Sequence, residues 1–214
     1  MHVMVFANGA PPEPEATLQL ARSVDLVLCA NGGTHHARAL GINPHVVIGD
    51  MDSLSPELRI ALQGAGTQFQ EYPAHKDETD LELALLYAAG QGATRITVVG
   101  MRGGRIDHEL ANLLLLAHPR LGSLDVRLVD GNQEIRLVRQ QAWFQGAIGD
   151  LLSLLPIGGE VHGITTSGLE YPLCDETLRL GPARGISNVF TEPEVCVRLH
   201  SGLLLAVHTR GRDL

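Results

Sequence analysis

Short, unbroken apolar runs punctuate the first 130 residues. They fall at 3–7, 26–30, 46–48, 96–99 and 126–129, with a weaker candidate at 68–72. Continuous rather than alternating hydrophobicity predicts strands covered on both faces. Between these runs the period becomes helical. Residues 34–40 form one short stretch, and 56–63 form another, with Ser55 as its cap and Pro56 at its first position. Residues 79–89 carry Leu81, Ala84, Leu85 and Ala88, and residues 107–117 carry Leu110, Leu113, Leu114 and Ala117. Each set is the i, i+3, i+4, i+7 stripe of an amphipathic helix. Strands alternating with helices predict a mostly parallel sheet with crossover helices.

After about residue 131 helical periodicity fades. Short runs at 135–139, 143–145, 151–155, 163–167, 195–199 and 203–208 lie between Gly, Pro and Asn, which reads as antiparallel β. Residues 195–199 and 203–205, joined by His200-Ser201-Gly202, predict a hairpin with a three-residue loop. The turn-favouring pair Gly131-Asn132 marks the boundary, giving domains 1–131 and 132–214.

Composition narrows the classes. Of 214 residues, 44% are hydrophobic and 19% charged, which is ordinary for a globular chain and excludes a disordered one. Lys plus Arg is 16 and Asp plus Glu is 24, a net charge of −8 that argues against a nonspecific nucleic-acid or membrane-surface binder. No apolar run approaches the roughly 18 residues of a membrane span. The opening Met1-His2-Val3-Met4-Val5-Phe6 lacks a basic start and reads as a first strand, not a leader. Cys29, Cys174 and Cys196 are scattered and form no CxxC pair, which fits a reducing cytoplasm. Cys29 reads as a small buried residue and Trp143 as core. The ten histidines show no metal-ligand spacing, so surface positions are expected for most, with His108 the exception.

Three polar clusters follow predicted elements. Gly49-Asp50-Met51-Asp52-Ser53 sets two carboxylates at i and i+2 just past a strand. Such a pair suits a hard cation such as Mg²⁺, and equally a capping turn. Lys76-Asp77-Glu78-Thr79-Asp80 opens a helix, where acids are favourable without any function. Lys76 reads as a phosphate neutraliser or a solvated side chain. Gly100-Met101-Arg102-Gly103-Gly104-Arg105-Ile106-Asp107-His108 joins glycines, which admit an anion to backbone N–H groups, to arginines with forked donors. Asp107 reads either as a helix cap or as a metal-facing acid. Loops after parallel strands emerge at one sheet edge, where open α/β sheets bind ligands. Acids for Mg²⁺ and arginines for phosphate describe phosphoryl transfer. Neither GxxxxGK[ST] nor GxGxxG occurs.

Six segments in order resemble the thiamine pyrophosphokinase family. They are Ala30-Asn31-Gly32-Gly33, Ile48-Gly49-Asp50-Met51-Asp52-Ser53, Asp77-Glu78-Thr79-Asp80-Leu81-Glu82-Leu83-Ala84, Gly103-Gly104-Arg105-Ile106-Asp107-His108 with Asn112, Gly168-Leu169-Glu170-Tyr171-Pro172-Leu173, and Gly185-Ile186-Ser187-Asn188. The resemblance implies an α/β N-terminal domain for ATP and Mg²⁺. It also implies an all-β, sandwich-like C-terminal domain for thiamine and dimerisation. A homodimer with active sites shared between subunits follows from it. By motif position Asp50, Asp52 and Asp80 would face the metal. Arg105, Asp107 and His108 would line the ATP phosphates. Asn31, Gly32, Lys76, Asp77, Thr79, Arg102, Gly104 and Asn112 would complete the ATP site, and Arg105 and Asp107 would join the metal-facing acids in catalysis. Ser187 and Asn188 would hold thiamine. Two positions depart from the family pattern: Asn31 stands where the first motif has Asp, and Glu170 where the fifth has a basic residue. These departures motivate a second reading, a non-catalytic thiamine or nucleotide sensor. A third keeps the ATP site with another small alcohol as acceptor. A purely structural dimerisation module ranks last, because it leaves the acidic cluster unexplained.

Overall fold

The computed structural model describes residues 1–211. Two compact units divide it, residues 1–131 and the described residues from 132 onward. The first unit alternates strand and helix: β1 (His2–Phe6), α1 (Pro14–Ala21), β2 (Leu26–Ala30), α2 (Gly33–Ala39), β3 (Val46–Gly49), α3 (Pro56–Gly64), β4 (Gln68–Glu71), α4 (Asp80–Gly90), β5 (Arg95–Val99), α5 (Ile106–Leu114) and β6 (Asp125–Asp130). The six strands lie in the order β4-β3-β2-β1-β5-β6, and every neighbour pair is parallel.

The continuous apolar runs are explained by cover on both faces. Met4, Phe6, Val27, Cys29 and Val47 share one core with Ala37 of α2 and Leu62 of α3, and Leu20 of α1 packs against it. Helix α4 lies against β1, β2 and β3 and buries Leu81, Leu83, Ala84, Leu85 and Ala88 outside that cluster. Burial pushes the Cys29 thiol pKa up, so it is an inert core side chain. Ser55 caps α3 through the Leu58 N–H, and Thr79 caps α4 through the Glu82 N–H.

Two helices differ from expectation. Helix α1 was not foreseen, because its eight residues carry a weak apolar stripe. Glu13 caps it, accepting from the Glu15 and Ala16 N–H groups. The stripe of α5 is present but does not pack inward. Ile106, Leu110 and Leu114 are 69%, 54% and 58% exposed, and no residue of the helix is buried.

The second unit is β throughout: β7 (Gln133–Val138), β8 (Gln141–Gln145), β9 (Leu151–Ser167), β10 (Glu176–Leu178), β11 (Asn188–Val189), β12 (Glu194–Arg198) and β13 (Ser201–Thr209). The runs at 151–155 and 163–167 are the two ends of β9, one 17-residue strand. Gly158, Gly159 and Gly163 have positive φ near its middle, where the strand changes partners. Its first half pairs with β13 and its last residues with β12, so β9 belongs to two sheets. Side chains from β7, β8, β9, β12 and β13 close over one core around Phe144, Leu152, Leu154, Val195, Val197, Leu204 and Phe190.

The predicted hairpin is corrected by this topology. Strand β12 pairs with β8 and β9, and β13 with β7 and β9, so the two do not pair with each other. The long β9 claims both edges. Trp143 is also corrected: in β8 alternate residues are buried, and Trp143 falls on the open face at 48% exposure.

A buried His–Asp hydrogen bond pins the end of the second unit. His208 is fully buried, against the expectation for most histidines, and stacks on Phe190 with centroids 4.8 Å apart. Its Nε2 donates to Asp150 Oδ2 at 2.9 Å, while Asp150 also accepts from the Ala147 and Gly211 N–H groups. Burial pushes the Asp150 carboxyl up, but these hydrogen bonds outweigh it and hold the pKa below the usual carboxylate value. A depressed folded pKa stabilises above the unfolded value, and that stability is lost as pH falls through the folded value. We expect Asp150→Ala to cost about 3 kcal/mol at pH 7, by leaving His208 buried without its partner. Urea unfolding checks this, and the deficit should shrink below about pH 4 as the parent protein loses the same contribution. An equal deficit at pH 7 and pH 3 would contradict it.

Candidate active site

In the first unit β2, β3 and β4 are added in turn on one side of β1, and β5 and β6 on the other, all parallel. The order therefore switches between β1 and β5, and ligands of open α/β sheets bind at such a crevice. A cleft of about 340 Å³ lies there. The ends of β1 (Asn8, Gly9), β2 (Asn31) and β5 (Met101, Gly103, Gly104, Arg105) line it, with Thr79 and Asp80 of the α4 entry and His108 and Asn112 of α5.

Close backbone approach builds the cleft. A Cβ on Gly33 would come within 2.2 Å of the Phe6 carbonyl, so α2 begins directly against β1. A Cβ on Gly32 would strike the Asn8 amide at 2.4 Å, which is why Gly32 supports the wall from behind. The Gly9 N–H donates to Gly100 O at 2.7 Å, tying the loops after β1 and β5 together. The Gly103 N–H is taken by Glu109, and Asn112 Nδ2 donates to Met101 O at 2.9 Å. Helix α5 thus fixes the shape of the glycine-rich loop from two of its turns.

The acids come from a strained turn. Met51 has φ 63° and is buried in the β-sheet core, which turns Asp50 and Asp52 outward on either side of it. Asn31 also has positive φ, and its Nδ2 donates to Asp50 Oδ1 and Asp52 Oδ1, both at 2.8 Å. The Asn31 amide, aided by the Ser53 hydroxyl, holds the Asp52 carboxyl below its usual pKa. Asp80 lies on the other side of Gly49, where a Cβ would meet its Cγ at 2.8 Å and the Asn31 Cβ at 2.9 Å. Lys76 Nζ faces the buried Asp80 Oδ1 at 3.0 Å in an ion pair.

The predicted residues therefore divide. Asn31, Thr79, Asp80, Gly104, Arg105, His108 and Asn112 line the cleft. Asp50 and Asp52 adjoin it through Asn31, and Lys76 through Asp80. Arg102 is engaged with Asp130 at 2.6 Å, and Asp77 is exposed outside the lining. Arg105 and Asp107 are exposed and paired with each other. That hydrogen bond holds the Asp107 carboxyl down and pushes the Arg105 guanidinium pKa up. Ser187 and Asn188 belong to the second unit. There the Asn188 amide is bonded to both the N–H and the carbonyl of Tyr171, and the Ser187 N–H donates to Ser153 Oγ at 2.9 Å.

Asn8, Gly9 and Glu109 were missed. Asn8 and Gly9 carry no charge to draw attention, although their place beside the strand-order reversal would have found them. Among the described residues no three His, Cys, Asp or Glu side chains form a ready cage for an ion. The candidate ligand atoms are nevertheless all oxygens: Asn31 Oδ1 is a buried acceptor with no hydrogen-bond donor, and Asp80 Oδ1 is buried with the Lys76 ammonium beside it. That set fits a hard divalent cation, which keeps waters and substrate phosphates among its ligands and needs no protein cage.

Comparison with known proteins identifies the family. The family model described as thiamin pyrophosphokinase, catalytic domain, matches residues 17–128, and the vitamin B1 binding domain of the same family matches 133–204. A thiamine pyrophosphokinase of Bacillus subtilis is 29% identical over 171 residues, covering 79% of this chain and 80% of that one. Thiamine pyrophosphokinase 1 of Arabidopsis thaliana is 29% identical over 227 residues, covering 94% and 84%. The crystal structure of thiamine pyrophosphokinase from Bacillus subtilis superposes with a TM-score of 0.86 at 25% identity, covering 99% of this chain and 100% of that one. With its catalytic-domain match spanning more than half of its length, the chain belongs to the thiamin pyrophosphokinase family.

Proposed function

We propose that this chain is a thiamine pyrophosphokinase, an ATP-dependent diphosphotransferase that converts ATP and thiamine to AMP and thiamine diphosphate. The observation that carries the reading is the cleft at the β1/β5 reversal. It gathers a glycine-rich loop, Arg105 and Asp80, with Asp50 and Asp52 adjoining through Asn31, inside the segment matched by the catalytic domain. The thiamine hydroxyl oxygen forms a bond to the β-phosphorus, the bond from that phosphorus to the α,β-bridging oxygen breaks, AMP leaves, and the hydroxyl proton is released. Such a transfer depends on in-line positioning and on cations around the phosphates more than on covalent help.

A divalent cation, which we take to be Mg²⁺, supplies neutralisation of phosphate charge when bound. Asp50, Asp52 and Asp80 would hold it. Arg105 offers a fork to phosphate oxygens once Asp107 yields it, and His108, Thr79 and Asn112 border the same space. Gly103 and Gly104, with φ of 95° and 86°, keep the loop free of side chains, so that phosphates can approach its backbone; the Gly103 N–H itself is held by Glu109. Asp107 is a poor proton acceptor, because Arg105 keeps its carboxyl low. Ser187 and Asn188 are assigned to thiamine, and the Asn188 bonds to Tyr171 make it a fixed point of that loop. The exposed Ile106, Leu110 and Leu114 on one face of α5 favour a homodimer, with each active site shared between two copies. None of the helices among the described residues is long and apolar enough to cross a membrane. The three cysteines are unpaired, and we place the protein in the cytoplasm.

Three outcomes are expected. Asp52→Asn should lower turnover at least about a hundredfold with the far-UV spectrum unchanged, as judged by chromatography of AMP and thiamine diphosphate; wild-type turnover would remove the metal role. Chelation by EDTA should stop product formation and Mg²⁺ should restore it, whereas activity persisting in EDTA would contradict the cation requirement. Light scattering after size exclusion should give twice the chain mass, and a Leu110→Glu/Leu114→Glu variant should shift toward a single chain; a monomeric parent protein would refute the dimer.

A further inference from the structure

Asn31 carries a role that phosphate binding does not explain. The residue is 6% exposed, and both hydrogens of its amide nitrogen are spent on carboxylates, one on Asp50 Oδ1 and one on Asp52 Oδ1. Its Oδ1 is buried and accepts no hydrogen bond. An orphaned buried acceptor is unfavourable, so the fold tolerates it to keep the two charge-assisted bonds. The backbone does not select the residue type. A φ of 41° suits Asn, Asp and Gly alike, so the amide itself is what distinguishes Asn31 from an aspartate.

Charge around the group sharpens the point. Asp80 has Lys76 at 3.0 Å, whereas no ion pair among the described residues holds Asp50 or Asp52. Two carboxylates that converge on one nitrogen repel each other unless something between them is positive or donates hydrogen bonds. The Asn31 Cβ is also locked, lying where a Gly49 Cβ would meet it at 2.9 Å.

We propose that Asn31 is a positioning residue that brackets Asp50 and Asp52 in the cation-free protein, its amide doing between the two acids what a cation does when bound. The inference rests on the function proposed above only in taking the acid pair as the cation's site. Asp at this position would remove both donors and add a third negative charge. The cation-free protein would then lose stability, and the cation would restore more of it.

The test compares the full-length parent with Asn31→Asp and Asn31→Gly, melted in EDTA and in Mg²⁺ without nucleotide, with calorimetric titration of Mg²⁺ alone. Asn31→Asp should melt at least about 4 °C below the parent in EDTA. Its gain from Mg²⁺ should exceed the parent's, with Mg²⁺ affinity raised at least about tenfold by the added charge. Asn31→Gly keeps the backbone conformation and loses the bracket without new charge. It should melt below the parent in EDTA and gain less from Mg²⁺ than Asn31→Asp. An Asn31→Asp protein that melts with the parent in EDTA, or that melts low and gains no more from Mg²⁺ than the parent, overturns the proposal. Product assays on the parent are independent. A parent that makes no thiamine diphosphate but shows this melting pattern would sink the kinase reading and leave the bracket standing.

Discussion

Parallel strands deliver all their C-terminal ends to one edge of a sheet, and helices then leave from that edge with their N–H groups foremost. In the first unit this constraint decides nearly everything that follows. Because β1 and β5 are neighbours while their connections run to opposite sides, the loops after them part and a cleft opens. Its walls stay close because glycine stands at each crossing. Gly33 rests on the Phe6 carbonyl, Gly32 on the Asn8 amide, and Gly9 on the Arg102 carbonyl. A side chain at any of the three would force the loops apart and widen the place where phosphates are assigned.

Within that frame, charge is arranged by strained backbone. Two non-glycine residues with positive φ, Asn31 and Met51, stand on adjacent loops after β2 and β3. Met51 anchors its side chain in the core so that its acidic neighbours face out, and Asn31 turns its amide toward them. Strain of this kind persists only where surrounding structure fixes it, and here the core below and Gly49 beside do so. The arginines are restrained differently. Arg102 and Arg105 are each held by a neighbouring acid, Asp130 and Asp107.

The second unit solves another problem. A β unit of about eighty residues has a limited core, and β9 extends it by serving two sheets in succession. The Asp150–His208 pair fastens the last strand to the start of β9 under Phe190. The Asn188 side chain, bonded at both ends to Tyr171, fastens the loop that holds Ser187.

The sequence by itself determined the period of each element, since burial on both faces leaves a continuous apolar run and burial on one face leaves a helical stripe. The order of β1 to β6, the caps Ser55 and Thr79, and the acids and glycines at strand ends were all legible for that reason. Only tertiary structure decided that the apolar stripe of α5 stays exposed within this chain, since an apolar stripe states a need for cover and not its source. It alone decided that β9 would part β12 from β13, because strand pairing is a contest among distant segments that local turn signals do not register. It alone showed that Asn8 lines the cleft, that His208 is buried, and that Trp143 faces outward. The meaning of Asn31 was divided between the two. Its departure from the family's aspartate is written in the chain, but its bond to two carboxylates exists only because the loops after β2 and β3 end within hydrogen-bonding distance of one another.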